Sequence, residues 1–320
     1  MKNVRDSVKY VVQCSRHVRI DIDAVRELAD GIIRESAEIP PWDHSYHYFD
    51  GTEKTLSYLF VLDTLNFCFW PKPGNKRWTI SYGGMELSGY VALAAALKRA
   101  FEQDLPLDDP SYLSAMNMSD LREVLQGKGT LQLMRERLQA LRELGAYLLT
   151  KWKASPALLV EACSGSAISL VHKLAVNLES FRDIAKYKGK TVYFYKRAQI
   201  LAADIYAAFQ GRGWGDFRDM DRLTAFADYK LPQVLRHLGV LVYSPELAAK
   251  VDSMELIPPS SEEEIEIRAH TIRAVELLCS ELKQKGQNIR AFEMDWILWN
   301  MGQQDKYRKR PYHRTVTIFY

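Results

Sequence analysis

The sequence predicts a mainly α-helical fold with a small β-sheet. Apolar residues recur at three- and four-residue spacing over most of the 320 residues, alternation at spacing two is confined to short runs, and no segment repeats at a fixed period. The helical pattern covers Ile22–Ile39, Gly89–Glu102, Leu131–Trp152, Pro156–Ile184, Ala198–Phe209 and Glu263–Lys285. Pro40 and Pro41 stop the first of these. Ser260 and Ser261 precede a glutamate-rich first turn that suits the positive end of the last. Arg77–Tyr82 and Thr315–Tyr320 alternate in β-rich residues, and Leu59–Trp70 reads as a third extended piece. Together they predict one small sheet attached to a helical body.

Composition sets the outer bounds. With 47% hydrophobic and 26% charged residues, the chain can bury a full core. No Ser/Gly/Pro-rich linker interrupts it, so residues 1–320 read as a single compact unit with room for two lobes. Forty-three basic residues against 40 acidic give a formal charge of +3, too small for tracking along a nucleic-acid backbone but compatible with a small anionic ligand. The first twenty residues carry charges throughout, which disfavours a secretory leader or a membrane anchor and points to a cytoplasmic protein. Cys14, Cys68, Cys163 and Cys279 lie far apart in apolar or helical surroundings. They read as buried thiols rather than as a disulfide framework or a zinc site.

Several segments mix polar and apolar residues in ways that could carry chemistry. Lys196 and Arg197 stand at the start of a helix, where main-chain N–H groups and a cation could hold a phosphate; a solvated basic pair is the competing reading. Gly211, Gly213 and Gly215 follow a helix rather than a strand, so they read as a helix stop and a tight turn, not as a nucleotide loop. Asp216, Asp219 and Asp221 then fit turn or cap positions. Asp228 is framed by apolar and aromatic residues just before a helix with Pro232 in its first turn and Gly239 at its end. Position leaves it open between a helix cap and a sheltered charge able to stabilise a cation.

Asp63 and Asn66 sit in an otherwise apolar run, where each must bond to structure or meet a ligand. Phe67, Phe69 and Trp70 beside them can be core or a stacking platform. His44 and His47 could form a polar wall, but no third ligand accompanies them at metal spacing, and no metal is assigned. Asp295, between Glu293 and the indoles of Trp296 and Trp299, could help to hold a planar base or could dock the last helix.

The strings Leu62–Trp70 (LDTLNFCFW), Leu87–Tyr90 (LSGY), Tyr195–Ile200 (YKRAQI) and Leu223–Leu241 (LTAFADYKLPQVLRHLGVL), in this order, resemble the queuosine salvage family. The similarity covers nearly the whole chain. It implies a DNA-glycosylase-like helical fold and an N-glycosylase that needs no cofactor, releasing queuine from queuosine 5′-monophosphate in the salvage of a tRNA-derived micronutrient. It also implies that Asp228 of the FADY string is catalytic and that Lys196 of the YKRAQ string belongs to the substrate site. Tyr229, His47, Asp63, Phe67, Asp295 and Trp296 complete the expected substrate-binding set. His47 is the weaker transfer, because Tyr48 and Phe49 depart from the family pattern. Two other functions stand beside this one: a DNA-repair-type base glycosylase, which would want a basic face and steep salt dependence, and a non-catalytic nucleotide- or base-binding protein.

Overall fold

The computed structural model describes all 320 residues, Met1–Tyr320. The first helices are α1 (Lys2–Cys14), α2 (Ile22–Arg34), α3 (Glu53–Leu65), α4 (Gly89–Glu102), α5 (Pro110–Ala115), α6 (Met118–Leu125), α7 (Met134–Trp152) and α8 (Pro156–Glu161). After them come α9 (Ala167–Asn177), α10 (Lys196–Ala208), α11 (Lys230–His237), α12 (Pro245–Asp252), α13 (Glu262–Gln284), α14 (Ala291–Met301) and α15 (Asp305–Arg308). The strands are β1 (Val18–Ile20), β2 (Thr79–Tyr82), β3 (Met85–Ser88), β4 (Ile184–Tyr187), β5 (Lys190–Tyr193) and β6 (Leu241–Tyr243). They pair antiparallel as β1–β6, β2–β3 and β4–β5. The fold is mainly α, with three separate two-stranded pieces in place of the single sheet expected. No helix is long and apolar enough to cross a membrane.

The chain divides into two compact units. The first comprises Met1–Pro41, Asp183–Gln199 and Asp219–Thr317; the second comprises Trp42–Arg182, Ile200–Arg218 and Ile318–Tyr320.

In the first unit α13 is the central rod, packed against α1, α2, α11 and α14. Ser261 accepts a bond from the Glu264 N–H, and Glu262, Glu263 and Glu264 occupy the positive first turn, as the sequence pattern required. Ile267, Val275, Leu278 and Leu282 of α13 enter an apolar core with Val25 and Leu28 of α2, Val234 of α11 and Leu298 of α14. Helix α1 was not anticipated. It is amphipathic, burying Val4, Val8 and Val11 while Lys2, Asp6 and Lys9 face water.

In the second unit α3 is buried on every side from Thr55 to Leu65. It packs against α4, α7 and α8. This overturns the extended reading of Leu59–Trp70: the segment is helical as far as Leu65, and full burial removed the one-sided stripe by which a helix is recognised. Arg137 of α7 closes the end of α3. Its buried guanidinium donates to the carbonyls of Leu65, Phe67 and Cys68, and its central carbon lies 4.2 Å from the Phe67 ring centroid.

Two further expectations fail for local reasons. Pro156–Ile184 is not one helix, because Ser164 and Gly165 take positive φ and break it into α8 and α9. Thr315–Tyr320 forms no strand; the nearest ladder contact is an isolated bridge between Arg314 and Leu256. Gly211, with φ +69°, lies just past the end of α10, where a left-handed residue ends a helix as expected.

Candidate functional site

Five of the eight sequence-selected residues belong to the first unit, and three of those interact. Asp228 ends the buried stretch Leu223–Asp228 and lies two residues before α11. Its Oδ1 accepts the N–H groups of Lys230 at 2.7 Å and Leu231 at 3.0 Å, so it does cap the helix. It is also a buried carboxylate, and burial pushes its pKa up. The Lys196 ammonium, the two N–H donors and Lys230 pull it back.

Asp295, on α14, accepts the Phe226 N–H at 2.7 Å. Burial, followed by the charge of Asp228, holds its carboxyl well above the usual carboxylate range, against the opposing pull of the Phe226 N–H and Lys196. Two buried carboxyls that feel each other's charge cannot both ionise cheaply, and Asp295 is held further above the ordinary range than Asp228, which faces more donors.

Lys196 opens α10 and is itself buried. Its backbone N–H donates to Asp183 at 3.1 Å, and Tyr195 before it is held at φ +52°. Tyr229 is half-buried, its ring centroid 4.8 Å from that of Tyr312. Trp296, also half-buried, meets Phe292 edge-on at 5.1 Å.

The remaining three residues lie in the second unit. His47 is buried, and burial pushes its pKa down to about 4. Its Nδ1 lies 2.7 Å from the Asp43 carbonyl and its Nε2 lies 2.9 Å from the Tyr90 hydroxyl. A carbonyl can only accept, so the neutral ring carries its proton on Nδ1 and accepts from Tyr90 at Nε2. Asp63 is fully buried in the last turn of α3 and accepts from Asn66 at 3.2 Å. Phe67 is buried beneath the Arg137 guanidinium.

Three residues that the sequence did not single out complete these clusters: Asp183, Arg268 and Tyr90. Tyr90 stands in the LSGY string and could have been found there. Arg268 follows Glu264 by one helical turn and resembles an exposed surface pair, whereas both residues are buried. His17, Glu262 and Glu266 place their ligand atoms within 4.8 Å of one another. The Glu266 carboxylate, however, is already occupied by the N–H groups of Arg16, His17 and Val18 and by the Tyr187 hydroxyl at 2.8 Å, which makes it an anchor for the chain entering β1. Cys68 and Cys163 are buried thiols, whereas Cys14 and Cys279, expected to be buried as well, are partly exposed.

A family model described as queuosine salvage protein matches residues 46–320. The chain is 44% identical to the queuosine 5′-phosphate N-glycosylase/hydrolase of Sphaerobacter thermophilus, over 99% of this chain and 97% of that one. It is 35% identical to the protein of the same name from Mus musculus, with 99% and 98% covered, and 30% identical to that of Schizosaccharomyces pombe, with 95% and 92% covered. With likeness of this extent, at both ends of the chain and across both units, the chain belongs to the queuosine salvage protein family.

Proposed function

We propose that this chain hydrolyses the N-glycosidic bond of queuosine 5′-phosphate, with water completing the displacement to give queuine and ribose 5-phosphate. The names of its relatives supply the substrate class. The single observation in the molecule that carries the reading is the unequal pair of buried carboxyls, Asp228 and Asp295, beside the Lys196 ammonium.

Loss of the base builds positive charge on the ribose ring. A fixed anion in a sheltered site stabilises that charge without waiting for solvent to reorganise. Asp228 is that anion. The N–H groups at the start of α11 hold its carboxylate in place, and it orients the incoming water. Lys196 fixes the 5′-phosphate, a contact remote from the breaking bond that supplies positioning energy and favours the nucleotide over the nucleoside. Asp295 is the candidate for reading the amino edge of the deazaguanine base, with Trp296 and Tyr229 of the same unit offering ring faces. The near-balanced charge favours a free nucleotide over a nucleic-acid strand as the ligand.

Incubating the protein with queuosine 5′-phosphate and separating the products by chromatography tests the proposal. Free queuine and ribose 5-phosphate in equal amounts are expected. Binding without release would identify a carrier, and release only from modified DNA would identify a repair glycosylase.

A further inference from the structure

We propose that Arg268 is a positioning residue for this reaction, clamping the loop that bears Asp228 to the helix start that bears Lys196. The inference rests on the roles proposed above for those two residues. Arg268 is 2% exposed, and its guanidinium donates to Ala227, to Asp183 and, at 3.4 Å, to Glu264 of its own helix. Its Nε donates to the carbonyl of Ala227 at 3.1 Å, one residue before Asp228. Its Nη1 and Nη2 donate to the two oxygens of Asp183 at 2.9 and 2.6 Å.

Asp183 carries the clamp onward. The same Oδ2 that meets Arg268 accepts the Lys196 N–H at 3.1 Å, and the Asp183 carbonyl accepts the N–H groups of Phe194 and Tyr195 at 3.0 and 3.2 Å. The guanidinium also lies 3.9 Å from the Phe194 ring centroid, which fixes its plane. Segments 41 and 85 residues away from Arg268 are thereby held by a single rigid fork.

An ion pair that served stability alone would need only the carboxylates of Asp183 and Glu264. The additional bonds end on main-chain atoms adjoining Asp228 and at Lys196, where displacements of about 1 Å can change a rate by about 10²-fold. A lysine could keep the charge but, having a single nitrogen, could not span Ala227 and both oxygens of Asp183.

The test compares Arg268→Lys with Arg236→Lys. Arg236 is a second buried arginine of the same unit, paired in the same forked manner with Asp252 at 2.8 and 2.9 Å and stacked on Tyr243. For Arg268→Lys, kcat per folded molecule on queuosine 5′-phosphate should fall by about 10- to 100-fold, with a KM change of no more than about threefold. Arg236→Lys should stay within about twofold in both constants even where its thermal midpoint falls equally. Placed on Asp228→Asn in single-turnover assays, Arg268→Lys should add less than about threefold, because a residue acting through another contributes little once that other is gone.

Wild-type kcat in Arg268→Lys, or equal kcat losses in both lysine variants, overturns the inference. Undiminished hydrolysis by Asp228→Asn alone would instead overturn the functional reading, so the two failures are distinguishable. Should Arg268→Lys not fold, Asp183→Asn, which retains an acceptor for Lys196 but weakens the fork, carries the same expectation and the same refutation.

Discussion

The entrance of α11 and the exit of α3 solve opposite electrostatic problems. At the start of α11 two main-chain N–H groups converge on a buried carboxylate, Asp228, so an anion meets the positive end of a helix. At the end of α3 the buried guanidinium of Arg137 meets carbonyls, including that of Leu65, so a cation meets the negative end. Asp63 shares that negative end and is held by Asn66. Two aspartates in apolar strings look alike in sequence, yet only one sits where the backbone favours its charge. A buried charge becomes useful for chemistry where the fold stabilises it in advance, and Asp228 meets that condition.

Asp228→Ala should produce the largest effect, removing the charge and the cap together; kcat on the nucleotide is expected to fall at least about 10³-fold. Arg137→Met probes the other helix end. Stranding its carbonyls should cost about 1–3 kcal/mol for each in chemical unfolding, while kcat per folded molecule changes little, so a selective loss of kcat would erase the contrast between the two helix ends.

Lys196→Ala should lower kcat/KM for queuosine 5′-phosphate by about 10- to 100-fold and leave the nucleoside within about threefold. Equal losses on both substrates would remove Lys196 from the phosphate site. The smallest effect concerns His47. Its folded pKa of about 4 lies below the ordinary 6.5, so the unfolded chain takes up its proton first and stability should decline as pH falls from about 6.5 towards 4. His47→Gln should flatten that part of a pH–stability profile, and an unchanged profile would contradict the buried neutral assignment.

Much of this was legible in the sequence, and the misreadings have physical causes. Gly89–Glu102 coincides with α4, and Ser261 caps α13 as its pattern required, because one-sided helices with conventional caps are specified locally. Helix α3 escaped because it has no polar face. Thr315–Tyr320 alternates as a strand would, but no partner strand lies beside it. At the site, the sheltered setting of Asp228 was legible in its own neighbours. The clamp of Asp183 and Arg268 was not, since a pairing across 85 residues leaves no local periodicity. Nor could sequence show that Asp228 caps α11 and is buried at once, since position alone leaves a helix cap and a sheltered charge as alternatives.

Asn caps a helix about as well as Asp, so Asp228→Asn removes the charge while leaving the bonds to Lys230 and Leu231 available. The decisive measurement sets its affinity for queuosine 5′-phosphate, by titration calorimetry, beside its single-turnover cleavage of the same compound. A dissociation constant within about threefold of wild type, with cleavage slowed at least about 10³-fold, is expected of an anion whose work is done in the transition state. Cleavage at the wild-type rate would contradict that account.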